Sequence, residues 1–160
     1  MAETIVEKLD WNIREARPGD WPAIAELNRL LALETEGKTL DMRLVEPGVR
    51  RLISEPALGR YFLAEATDRV IGQLAITFEW SDWRNGMLWW LQSVYVAAAW
   101  RGRGVFRSLY QYVENLGRRD ADVCGIRLYV DERNTAAHGV YEALGFERAG
   151  YLVLEKSLRR

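Results

Sequence analysis

Val94-Tyr95-Val96-Ala97-Ala98-Ala99-Trp100-Arg101-Gly102-Arg103-Gly104-Val105-Phe106 reads as a strand that runs out into a glycine-containing turn and reopens as a helix. The first N–H groups of such a helix have no intrahelical partner, and the helix dipole makes that end an anion site. Two glycines let the backbone approach a ligand without Cβ interference. Arg101 and Arg103 add charge and a donor fork suited to phosphate. The physics points to phosphate or pyrophosphate; the plainer alternative is a loop whose glycines serve only the turn. The pattern is neither a Rossmann nor a P-loop fingerprint, because the third glycine and the Gly-Lys-Ser/Thr ending are missing.

Working back towards the N-terminus, Met87 to Val96 is a nearly unbroken apolar run, the signature of a strand buried on both faces. Asn85-Gly86 before it signals a tight reversal. Tyr61 to Ala66 and Val70 to Trp80 read as a hairpin turning at Thr67-Asp68-Arg69. Asn12 to Arg17 reads as a short strand stopped by Pro18-Gly19, after which Asp20 offers an N-cap to a helix carrying Trp21, Ile24, Leu27 and Leu31 on one face. A second helix is predicted to begin near Pro47, bury Val49, Leu52 and Ile53, and end at Pro56.

Downstream, Val105, Leu109, Tyr112, Val113 and Leu116 mark a long amphipathic helix. Ile126, Leu128 and Val130 alternate as a strand, and Thr135 to Leu144 forms a helix with Gly145 at its left-handed C-cap. Tyr151 to Leu158 is expected as a closing strand. The order β-α-α-β-β-β-α-β-α-β predicts one α/β domain over residues 1–160, with a mixed, mostly antiparallel sheet flanked by helices on both faces.

Composition narrows the class. The 22 basic and 23 acidic residues give a formal net charge of -1, which provides no basic surface for nucleic acid. Cys124 is the only cysteine, so no intramolecular disulfide forms, and its apolar neighbours suggest a buried structural thiol in a reducing cytosol. The acidic start MAETIVEKLDW lacks the apolar core of a signal peptide, and no apolar run approaches a membrane span. A cytoplasmic protein with no membrane partner is expected.

A second motif lies at Asn134-Thr135-Ala136-Ala137-His138-Gly139-Val140-Tyr141-Glu142-Ala143-Leu144-Gly145-Phe146. Asn134 can cap the helix. Tyr141, two turns on, presents an O–H that serves either as an acid or as the polar edge of a core aromatic. His138 reads as a surface residue.

Arg101-x-x-Gly104 after a Val-x-Val strand, followed by Asn134-x-x-Ala137-x-x-x-Tyr141-x-x-x-Gly145-Phe146, resembles the GNAT superfamily of N-acetyltransferases. The resemblance implies acetyl-CoA as cosubstrate, no metal, and direct attack by a primary amine in a ternary complex. It implies backbone contacts from Val94 and Val96 to the pantetheine arm, and a pyrophosphate site made by Arg101, Gly102, Arg103, Gly104, Val105 and Phe106. Asn134 and Ala137 fall in the cofactor-binding part of the second motif, and Tyr141 would protonate the departing thiolate. A thiol near 8.5 and a phenol near 10 are well enough matched for that transfer. A backbone N–H of Val94 or Tyr95 would polarise the thioester carbonyl.

The chain departs from the family pattern at two places. Phe106 stands where relatives carry Gly or Ala. Trp90 stands six residues before Val96, where relatives often carry a general-base carboxylate. Glu79 and Asp82 are the nearest acidic residues, and Glu79 is the candidate base; a solvated hairpin charge, with water carrying the proton, is the alternative. Trp80, Trp83, Trp89, Trp90 and Trp100 surround the strands where relatives admit the acceptor, as core packing or as walls for an amine. The acceptor is expected to be a small molecule or peptide, and homodimers are common for domains of this kind. The rival function is a non-catalytic acyl-CoA-binding sensor acting through a protein partner.

Overall fold

The computed structural model describes residues 10–158, and these divide into two compact units meeting at Leu128/Tyr129. The first unit contains β1 (Asn12–Glu15), α1 (Trp21–Glu36), α2 (Met42–Ser54), β2 (Gly59–Ala66), β3 (Arg69–Ser81), β4 (Gly86–Val96), α3 (Val105–Arg119) and β5 (Val123–Leu128). Its five strands lie side by side in chain order. Neighbours are antiparallel except β4 and β5, which are parallel because α3 carries the chain back across the sheet.

Strand alternation assigns the two faces. Tyr61, Leu63 and Ala75 join Ile24 of α1 and Val49 of α2 in one buried cluster. The intervening Phe62 packs against Tyr112 of α3, ring centroids 5.7 Å apart. A Cβ at Gly72 would come within 3.2 Å of a Val105 methyl, so α3 lies close on β3. Helices therefore cover both faces of a mixed sheet, as the element order predicts. Thr67 and Asp68, both at positive φ (48° and 60°), make a two-residue turn narrower than expected, with Arg69 already in the strand.

Three local expectations are corrected. Asp20 does not cap α1; its carboxylate takes the Arg14 guanidinium at 2.7 and 2.9 Å and the Arg17 N–H at 2.6 Å, holding the turn before the helix. The second helix starts at Met42, because Asp41 accepts the Arg43 N–H at 3.0 Å, and Pro47 sits inside it. Cys124 is exposed rather than buried; the β4–β5 register shifts there, with Met87 opposite Val123 and Leu88 opposite Gly125, so Cys124 is an extra residue left out of the ladder.

The second unit holds α4 (Thr135–Ala143). Asn134 caps it by accepting the Ala137 N–H at 3.1 Å. Gly145, at φ 87°, closes it: its N–H reaches Glu142 O at 3.0 Å while the Phe146 N–H reaches Tyr141 O at 3.0 Å. Val130 lies beyond β5, and Tyr151 to Leu158, expected as a strand, is in no helix or strand and is exposed throughout. The unit offers that segment no strand of its own to pair with, and a strand without a neighbour has no ladder to satisfy its backbone. No helix among the described residues is long and apolar enough to cross a membrane.

Candidate functional site

The turn before α3 has the geometry its glycines predict. Gly102 and Gly104 lie at φ 73° and 90°, and no atom stands within 4 Å of where a Cβ would point at either. Gly104 is the N-cap and supplies no side-chain cap. The leading N–H groups of an α-helix have no partner within the helix itself. Phe106 tilts against Tyr110 one turn on, at 6.3 Å, so its ring runs along the helix flank.

β4 opens where it approaches this turn. Its ladder to β5 ends at Leu91 opposite Leu128, so residues 92–96 have β3 on one side and no strand of this unit on the other. Against β3, Gln73 faces Tyr95 while Ala75 faces Gln92, which leaves one extra residue in β4. Ser93 absorbs it at φ 50°, a left-handed conformation unusual for a non-glycine residue. Val94, Tyr95 and Val96 are the residues carried past the bulge.

Gln73 holds the bulge in place. It is fully buried, and its amide nitrogen donates to Asn28 Oδ1 at 2.7 Å and to the Ser93 carbonyl at 3.1 Å. Its carbonyl oxygen has no hydrogen-bond partner among the described residues. Asn28 in turn donates to the Tyr61 hydroxyl at 3.2 Å. A cavity of about 320 Å³ opens here between α1, α2 and the sheet. Asn28, Thr35, Tyr61 and Ser93 give it polar points, Leu31, Val45 and Val49 give it apolar wall, and Glu36 is the only charged lining residue among the described residues.

Arg101 does not extend freely from the turn. Its Nε donates to the Val96 carbonyl at 2.9 Å, and one Nη bonds Glu34 at the end of α1. The other Glu34 oxygen accepts the Tyr95 hydroxyl at 2.7 Å. The Tyr95 hydroxyl and the Arg101 guanidinium together hold the Glu34 carboxyl below the usual carboxylate range. Both side chains of the ion pair are partly exposed, so it adds only about 0.2–1 kcal/mol to stability. Arg103 lies over the Trp100 ring, 5.2 Å from its centroid.

Glu79 stands towards the β3–β4 turn, opposite Leu88. It accepts the Trp90 indole N–H at 2.6 Å and the Arg127 guanidinium at 3.1 Å. The carboxylate on β3 therefore lies beside the indole of Trp90 on β4. The tryptophans do not form one wall: Trp89 is buried, whereas Trp80 and Trp83 are exposed at the hairpin end.

In the second unit, Asn134 and Ala137 meet through the cap of α4. Tyr141 is half-buried with its ring edge-on to Phe146 at 5.6 Å, and burial pushes its hydroxyl above the ordinary phenol value. His138 contacts the Asp131 carbonyl at 3.1 Å.

The family model described as "Acetyltransferase (GNAT) family" matches residues 21–146, running through both units. The chain belongs to the GNAT family. Among solved structures it is similar to a possible acetyltransferase from Clostridium difficile 630, with 41% identity over 94% of this chain and 99% of that one and a TM-score of 0.88. It shares its fold with a protein from Clostridium acetobutylicum described as a predicted acetyltransferase with acetyl-CoA (20% identity, 91% and 96% covered, TM-score 0.74). The same holds for an aminoglycoside acetyltransferase from an uncultured soil metagenomic sample in complex with sisomicin (14% identity, 93% and 97% covered, TM-score 0.75). No curated protein matches.

For a GNAT protein these residues fit the family's cosubstrate: a strand edge left open beyond a bulge leads to an uncapped helix start with room around both glycines. Glu34, Asn28, Gln73 and Ser93 were not singled out in the sequence. Gln73 gave a faint signal as a polar residue among apolar neighbours. Glu34 gave none, because one more carboxylate near a helix end looks like a solvated charge.

Proposed function

We propose that this chain moves an acetyl group from acetyl-CoA to a primary amine bound in the cavity beside Ser93, by direct attack in a ternary complex. The supporting observation is the meeting of three features in one unit: the open β4 edge, the uncapped start of α3, and a cavity that reaches the same bulge. Bound acetyl-CoA would supply the acyl carbon as a thioester, whose carbon–sulfur bond breaks as the amine nitrogen bonds to carbon. The N–H groups of Val105 and Phe106 hold the pyrophosphate, and Gly102 and Gly104 keep side chains out of its way. A backbone N–H of Val94 or Tyr95 polarises the acyl carbonyl. Glu79, which does not line that cavity, receives the proton the amine loses by way of water, and Tyr141 holds the proton the thiolate gains; the support for Tyr141 is the second motif and a hydroxyl that burial keeps protonated.

Thiol release from acetyl-CoA across a library of primary amines tests the reading. An amine-dependent signal supports it; acetyl-CoA binding without turnover on any amine favours the sensor function, which the absence of a carboxylate at Trp90 keeps in play. Neither binding nor turnover removes both.

The pyrophosphate site has its own test. Gly104→Asp puts a negative side chain at a left-handed position next to the proposed anion. Coenzyme A affinity measured by calorimetry is expected to fall at least tenfold, since each charge-assisted contact contributes ~1.5–3 kcal/mol. Undiminished affinity in a folded variant would place the pyrophosphate elsewhere.

A further inference from the structure

We propose that Glu34 is a positioning residue that fixes the entrance of the pyrophosphate loop through Arg101, and that Arg101 works there as a strut between α1 and β4 rather than as a cation touching phosphate. This rests on the acetyl-CoA reading above. Three contacts carry it: Arg101 Nε on the Val96 carbonyl at 2.9 Å, Arg101 Nη on Glu34, and the Tyr95 hydroxyl on the other Glu34 oxygen at 2.7 Å. The guanidinium also lies 5.2 Å from the centroid of the Tyr95 ring. One side chain is thereby tied to a helix, to a strand carbonyl and to an aromatic face.

A planar guanidinium engaged on two sides has its direction fixed by the groups it bonds. Val96 is the last residue of β4, and Arg101 opens the turn that ends at Gly104. Bonding Arg101 to that carbonyl sets the path of the four intervening positions. The partly exposed ion pair adds little to overall stability, so its effect should show in the loop rather than in the melting temperature. Glu34 lies on the turn of α1 that gives Ala32, Thr35 and Glu36 to the cavity wall. The strut therefore links the wall of the amine cavity to the start of the phosphate loop.

The two roles for Arg101 differ in sign. If it is a strut, Glu34→Ala and Arg101→Ala break the same device. Each should lower coenzyme A affinity about five- to tenfold by calorimetry, and the double variant should be no worse than the weaker single one. Salt dependence should also be unchanged in Arg101→Ala, because no phosphate contact is lost. If Arg101 instead serves phosphate and Glu34 competes for it, Glu34→Ala tightens binding, Arg101→Ala weakens it, and the salt dependence of Arg101→Ala flattens; that pattern overturns the proposal. Additive losses in the double variant also overturn it. Tyr95→Phe removes one arm only and should produce a smaller loss than Glu34→Ala, while an equal melting temperature in all variants separates loop geometry from unfolding. Wild-type protein that fails to bind coenzyme A rejects the cosubstrate reading itself, a result distinct from any of these.

Discussion

Glu79→Gln is expected to lower kcat/KM by ~10²–10⁴-fold, the range a positioned general base supplies. Glutamine preserves the length of the side chain and an oxygen for the Trp90 indole N–H, which stands 2.6 Å from the carboxylate in the native protein. The change therefore removes proton affinity while leaving the packing of Trp90 in place. Its structural cost is confined to the Arg127 contact at 3.1 Å, a partly exposed pair worth about 1 kcal/mol or less. Two of the roughly four lone-pair sites of a carboxylate are used by those partners, which leaves capacity for a proton from the amine or from a bridging water. Steady-state kcat/KM with an accepted amine decides the matter. Activity within a few-fold of wild type means that water carries the proton away and Glu79 only anchors Trp90.

Tyr141→Phe is expected to lower kcat by ~10²-fold while coenzyme A still binds with native affinity. The ring and its edge-on contact with Phe146 at 5.6 Å survive the substitution; only the proton is lost. Burial raises the hydroxyl above its ordinary value of 10. A phenol with a raised value keeps its proton through neutrality and gives it up only as pH climbs past that raised value. Loss of the acid should therefore appear as an alkaline fall in kcat above pH 10 in the native enzyme, absent from the residual activity of the variant. Calorimetry and the kcat profile together check this. Full turnover by Tyr141→Phe would return the residue to a packing role.

Much of the fold follows from short-range chemistry. The run from Val94 to Phe106 specifies strand, turn and helix start because glycine at φ 73° and 90° and an uncapped helix are local matters. Asn134 and Gly145 bracket α4 for the same reason. Alternation in β2 and β3 assigns residues to faces without knowledge of their partners. Local signals misled where two residues competed for one job: Asp41, not Pro47, starts α2, and Asp20 is drawn from capping by Arg14. Tyr151 to Leu158 has the composition of a strand, but a strand is completed by its neighbour.

Tertiary structure decided what surrounds the motifs. The extra residue at Ser93 is a property of the β3–β4 register, and the cavity exists because α1 and α2 cross the sheet there. The strut depends on Glu34 and Arg101, 67 positions apart in the chain. The pairing of Glu79 with Trp90 depends on two antiparallel strands. Where the backbone turns and a helix begins without a side-chain cap is legible in the sequence, because that depends on neighbours along the chain. Which carboxylate meets which cation depends on neighbours in space, and only the packed sheet and helices supply those.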